Sequence, residues 1–194
     1  MKAKRLFSCL TLLLVTTMVI AQDIPVGMRM EVTESSQGDD EEFQCSVFQY
    51  KEENGNTGYY LSLIHSIELM SIVRGDLAKS SLSHYDEICL PLGATLDDAQ
   101  NKIDSMLELF DKNPGTVTEF PCRINNGPEK LGEESTATCT VTKRLLGGKI
   151  LLFGFTSGQR TAETELTKSA LKQMRLGLKL DKKLHPGKNK DNDD

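Results

Sequence analysis

Apolar and polar residues alternate along several stretches of this 194-residue chain. The clearest case is residues 136–143, where Ala137, Cys139 and Val141 are separated by threonines. A period of two residues is typical of a strand that buries one face, and such strands favour an antiparallel sheet. The same reasoning predicts further strands at residues 28–33, 43–51, 59–69, 87–92, 116–125 and 149–157.

Two helices are predicted from the spacing of apolar residues and from capping residues. Thr95 is a suitable N-cap for the first helix, and Asn113 with Pro114 ends it. Thr161 is the predicted N-cap of the second helix, which carries an apolar stripe formed by Leu166, Ala170, Met174 and Leu178. The predicted fold is therefore α+β, with a mainly antiparallel sheet covered on one face by two helices.

Each half of the chain has roughly the predicted order β-β-β-α, with the short strand at residues 87–92 lying in an insertion that precedes the helix of the first half alone. The best local similarity lies between residues 44–47 (Gln-Cys-Ser-Val) and 138–141 (Thr-Cys-Thr-Val). A duplicated β-β-β-α unit is one interpretation. The alternative is that any α+β chain with alternating strands produces such a similarity.

The N-terminus has the features of a secretory signal peptide. Lys2, Lys4 and Arg5 precede an apolar run over residues 6–20, and Ala21 fits the residue before a cleavage site. This run is shorter than the roughly 20 residues of a spanning helix, which disfavours the alternative of a retained anchor. We expect a signal peptide at 1–21, a single α+β domain at 22–185 and a disordered polar tail at 186–194, with export to the periplasm or the extracellular space.

Export gives the cysteines a structural interpretation. Removing residues 1–21 leaves Cys45, Cys89, Cys122 and Cys139, an even number that is typical of disulfides in an oxidising compartment. Cys122 and Cys139 are predicted cross-strand neighbours, which leaves Cys45 with Cys89. Four buried thiols are the alternative.

The sequence contains few of the motifs that are typical of enzymes. The three histidines have no metal-ligand spacing, and the chain contains no Cys-x-x-Cys, no phosphate-binding glycine loop and no Gly-x-Ser-x-Gly. We therefore predict no catalytic, cofactor-binding or metal-binding residues and no cofactor. His84 and Cys89 are the residues of an alternative, a hydrolase-type site assembled from dispersed positions.

Charge is unevenly distributed. The net charge is −5, and loss of the three basic residues of the signal peptide makes it −8, which excludes a wholly basic nucleic-acid-binding protein. Residues 168–190 nevertheless contain eight Lys or Arg against Asp181 alone. Lysines near a helix C-terminus complement the helix dipole, and this interpretation is preferred to membrane contact. The predicted basic surface consists of Lys172, Arg175, Lys179, Lys182 and Lys183.

Three functions follow as hypotheses. The first is an exported, non-catalytic module that binds an unknown protein or envelope ligand. The second is the dispersed-site hydrolase, and the third is membrane-surface association through the basic C-terminal helix. Nucleic acid is not an expected partner.

Overall fold

The computed structural model describes residues 24–37, 43–73, 76–125, 131–145, 148–157 and 160–185. The predicted signal peptide and polar tail lie outside these residues. The strands are β1 (Arg29–Gln37), β2 (Phe43–Lys51), β3 (Thr57–Val73), β4 (Asp76–Gly93), β5 (Val117–Asn125), β6 (Glu133–Lys143), β7 (Lys149–Ser157) and β8 (Arg160–Thr167). The helices are α1 (Leu96–Leu109) and α2 (Lys168–Leu184).

The strands form one curled antiparallel sheet in the order of the chain, from β1 to β8. Both helices pack on one face of this sheet, so the predicted α+β architecture is confirmed. The helix-side core draws on both halves of the chain and includes Val47, Leu61 and Ile103 with Leu151 and Met174. A smaller apolar cluster lies on the opposite face and consists of Phe48, Tyr50, Tyr60 and Cys89.

The β2–β3 hairpin shows how local sequence positions the sheet. Gly55 has a φ of +88°, a conformation that side chains disfavour, and it follows Asn54 as in many tight turns. The register places Val47 opposite Leu61, and both side chains enter the helix-side core. Residues 59–63 therefore alternate as predicted.

Strand β4 is longer than the predicted strand at residues 87–92. It pairs with β3 along most of its length but with β5 only from Glu87 to Cys89. Pro91 lacks an N–H donor and is therefore suited to the edge of a sheet. It pairs with Tyr60 and lies beyond the short β4–β5 ladder, so its position is locally an edge.

Helix α1 follows the prediction closely. Thr95 caps it, and the Thr95 and Asp98 side chains bond each other's backbone N–H groups in a capping box. Leu96, Ala99, Ile103 and Met106 are buried against the sheet. Local signals were sufficient here because the cap and the stripe both come from neighbouring residues.

The start of the second helix was predicted wrongly. Residues 160–167 form β8, and the N-cap of α2 is Thr167 rather than Thr161. Thr164 and Leu166 are buried whereas Glu163 is exposed, so this stretch has the period of a strand. Among the described residues, each half of the fold consists of four strands and a helix, which corrects the expected three-strand unit.

Candidate functional site

The predicted basic surface lies on helix α2, which the fold holds firmly against the sheet. Ala170, Leu171, Met174 and Leu178 are all buried in the helix-side core. The helix approaches β1 closely at Gly177, where a Cβ atom would overlap the side chain of Thr33. The buried face of α2 therefore sets the rotation of the helix about its axis, which determines which residues point to solvent.

One flank of α2 is neutralised by helix α1 and the turn after it. Arg175 Nε lies 2.7 Å from an Asp104 carboxylate oxygen, and Lys168 Nζ lies 3.5 Å from Asp111. Lys182 forms a further ion pair with Asp97. Arg175 and Lys182 of the predicted surface therefore join the two helices rather than presenting free positive charge.

The outward face of α2 is different. Leu176, Leu180 and Leu184 are 58%, 52% and 74% exposed, and their spacing of four residues places them in one line along the helix. We call them the leucine line. This second apolar stripe is separate from the buried one, so the sheet does not cover all of the apolar surface of α2.

A row of lysines runs beside the leucine line. At 3.6 residues per turn, Lys172, Lys179 and Lys183 lie within about 60° of Leu176 around the helix axis, all to the same side. All three are exposed, and none has an ion-pair partner among the residues that the structure describes. We call them the lysine row. Asp181, the one acid of α2, points away from this face and bonds His185 at 2.9 Å.

A second arrangement, not predicted from the sequence, surrounds Glu87 on the face opposite the helices. Glu87 is 3% exposed and accepts two hydrogen bonds of 2.7 Å from the guanidinium of Arg29. Ser62 Oγ donates to Oε1 at 2.5 Å, and Asn125 Nδ2 donates to Oε2 at 2.7 Å. Both carboxylate oxygens thus have two donors each.

These contacts determine the charge state of Glu87. Burial alone raises the pKa of a carboxyl group, but the hydrogen bonds from Arg29 and Ser62 outweigh it and hold the pKa of Glu87 below its ordinary value of 4.5. Arg29 also stacks over Phe48, with 4.4 Å between the guanidinium carbon and the ring centroid. A carboxylate so fully bonded is suited to holding strands together and poorly suited to proton transfer.

Cys89 belongs to the same network. Its sulfur lies 3.3 Å from Asn125 Nδ2, and burial together with the charge of Glu87 raises the pKa of the thiol well above its ordinary value. A reactive cysteine needs the opposite shift. His84 is five residues away on the same regular part of β4, a separation of about 16 Å at roughly 3.3 Å per residue. The geometry therefore does not favour the His84–Cys89 pair of the hydrolase hypothesis.

The predicted cysteine pairing is wrong, because all four cysteines are buried thiols. The register places Cys122 opposite Ser135, and Thr118 opposite Cys139. The two cysteines are thus offset by four residues, about 13 Å along the strands, whereas a disulfide needs Cα atoms about 4.4–6.8 Å apart. Cys45 and Cys89 belong to clusters on opposite faces of the sheet.

Two features are absent from the described residues. No group of three or more His, Cys, Asp or Glu there could hold a metal ion. No helix in that part of the chain has both the length and the apolar character needed to cross a bilayer.

No family model matches the chain, and neither any curated protein nor any solved structure matches it.

Proposed function

We propose that this protein is an exported, non-catalytic binding module that attaches to a ligand of the cell envelope through the outward face of helix α2. The observation that carries this proposal is the leucine line, three exposed apolar side chains on a helix that is otherwise well packed. Exposed apolar residues that are contiguous and rimmed by polar groups are typical of interaction surfaces.

The polar network around Glu87 supports a non-catalytic role. The Glu87 carboxylate accepts hydrogen bonds from the Arg29 guanidinium and the Asn125 amide. The Cys89 thiol is buried, and its pKa is raised. Such a network stabilises a sheet, whereas a catalytic group must be within reach of a substrate.

Export is the second part of the proposal, and its support is the sequence of residues 1–21. Expression of the full chain in its source cells, followed by mass spectrometry of the purified protein, tests it. We expect cleavage between Ala21 and Gln22 and recovery outside the cytoplasm. An intact N-terminus on cytoplasmic protein would refute export.

The binding surface is tested by cell fractionation with two leucine variants. Leu176→Ser/Leu180→Ser removes two members of the leucine line, while Leu145→Ser changes a leucine that is 99% exposed elsewhere. We expect wild type and Leu145→Ser to remain with washed envelopes and the α2 variant to be released. Equal retention of all three proteins, or release of all three, would contradict the proposed role of α2.

A further inference from the structure

We infer that the ligand of the α2 face is an anionic lipid surface, an inference that rests on the proposed function and specifies the partner. The leucine line and the lysine row lie side by side on one helix. Amphipathic helices that lie in a membrane interface combine such an apolar strip with lysines that contact anionic headgroups.

The distribution of charge supports this choice. Three basic residues of α2 are neutralised by Asp97, Asp104 and Asp111, yet the lysine row has no such partners in the described chain. Residues 22–167 contain 12 Lys and Arg against 24 Asp and Glu, so positive potential is concentrated near α2. At physiological salt, the interaction between charges more than about 8 Å apart is largely screened. The lysine row can therefore contact an anionic surface, because the acidic residues of the body lie farther away and repel that surface little.

The composition of the face favours lipid over a protein partner. Protein interfaces are enriched in Trp, Tyr and Arg and depleted in Lys, and their energetic centres contain little Leu. The outward face of α2 offers leucines and lysines. The leucine line spans about 12 Å at 1.5 Å per residue, so a flat surface contacts all three leucines at once.

The lysines have the side-chain length that this geometry requires. Their aliphatic stems cover the apolar strip while the ammonium groups reach the headgroups. Each lysine near an anionic surface strengthens binding about fivefold, so the complete lysine row supplies about 100-fold.

The test uses the purified mature protein and vesicles of phosphatidylcholine, with or without about one-third phosphatidylglycerol, in co-sedimentation at low and high salt. Lys179→Gln/Lys183→Gln removes two charges from the lysine row. Lys112→Gln/Lys143→Gln removes two charges from exposed lysines elsewhere and serves as the matched control. We expect salt-sensitive binding to the anionic vesicles, about 25-fold weaker for the α2 variant and within twofold of wild type for the control.

Three outcomes would overturn the inference. Equal binding to neutral and to anionic vesicles would show that the lysine row plays no role. Equal weakening of binding by the α2 variant and the control variant would show that the binding face does not lie on α2. Absence of binding to anionic vesicles at low salt would exclude the lipid. If Leu176→Ser/Leu180→Ser still releases the protein from envelopes in that last case, the proposed function stands with a protein ligand.

Discussion

Replacement of Glu87 by glutamine is the sharpest test of how the sheet is held together. The substitution keeps the shape of the side chain but removes the charge that faces the guanidinium of Arg29, whose side chain is 12% exposed. In either orientation of the new amide, its N–H₂ group faces an Arg29 N–H donor at a place where a carboxylate oxygen accepted a hydrogen bond. Breaking a buried ion pair by removing one partner costs about 3–5 kcal/mol.

That loss is a large fraction of the total stability of a domain, which is about 5–15 kcal/mol. With a urea m-value of about 2 kcal/mol per molar, the unfolding midpoint is expected to fall by about 2 M. The assay is urea unfolding followed by circular dichroism, with Glu134→Gln as the control. Glu134 is 84% exposed in its ion pair with Arg123, and a surface pair of this kind contributes at most about 1 kcal/mol.

Equal midpoint shifts for Glu87→Gln and Glu134→Gln would refute this reasoning. If Glu87→Gln does not fold, Ser62→Ala keeps the test available, because it removes one donor to Glu87 and leaves the ion pair intact. We expect Ser62→Ala to destabilise the fold by about 1–2 kcal/mol. A neutral effect of that variant would also contradict the role of the network.

Three further predictions concern pH, the thiols and the contact of α2 with β1. The folded-state pKa of Glu87 lies below 4.5, so its carboxylate stabilises the fold fully above pH 4.5 and the contribution is lost as the pH falls through the folded-state pKa. The gap in unfolding free energy between wild type and Glu87→Gln should therefore shrink below pH 4.5, and a gap independent of pH would be contradictory. Burial raises the pKa of Cys45 and Cys139 to about 12, so we expect no alkylation of the native mature protein at pH 8. In urea without reductant we expect four alkylated cysteines, and fewer than four would indicate disulfides. Gly177→Ala should destabilise the fold by about 1–3 kcal/mol, since the new methyl group meets Thr33, and stabilisation in thermal unfolding, as at an ordinary helix position, would rule out the close contact.

The sequence predicts those parts of the fold that depend on neighbouring residues. The cap at Thr95 and the β2–β3 turn at Gly55 are examples. The N-cap of α2 was misplaced because Thr161 is a suitable cap by residue type, although residues 160–167 alternate as a strand does. Two signals competed there, and pairing with β7 decided the outcome.

The Glu87 network could not be predicted in this way. Arg29 lies 58 residues before Glu87 and Asn125 lies 38 residues after it, so the register of several strands brings them together. A charged residue within an otherwise apolar strand, as in Glu87-Ile88-Cys89-Leu90, is the signal that indicates a buried partner. The cysteine pairing was predicted wrongly for the same reason, because the sequence does not reveal how strands β5 and β6 are aligned.

The α2 face was predicted in part. The basic residues are evident in the sequence, but Arg175 and Lys182 are neutralised by aspartates around α1, which only the packing of the two helices reveals. The leucine line has clear helical spacing. The sequence does not indicate which of two apolar stripes the sheet covers, because this depends on the rotation of the helix about its axis.

The short ladder between β4 and β5 has a consequence for how the protein unfolds. Within the sheet, the four-strand halves are joined there by three residue pairs, and Glu87 opposite Asn125 is one of them. Arg29, Ser62 and Glu87 belong to the first half, whereas Asn125 belongs to the second. The network thus links the two halves of the sheet at the ladder where the fewest residues pair. Because the helix-side core spans both halves, loss of the network should loosen this ladder first, with amide hydrogens of residues 87–89 and 123–125 exchanging faster than those of the longer ladders.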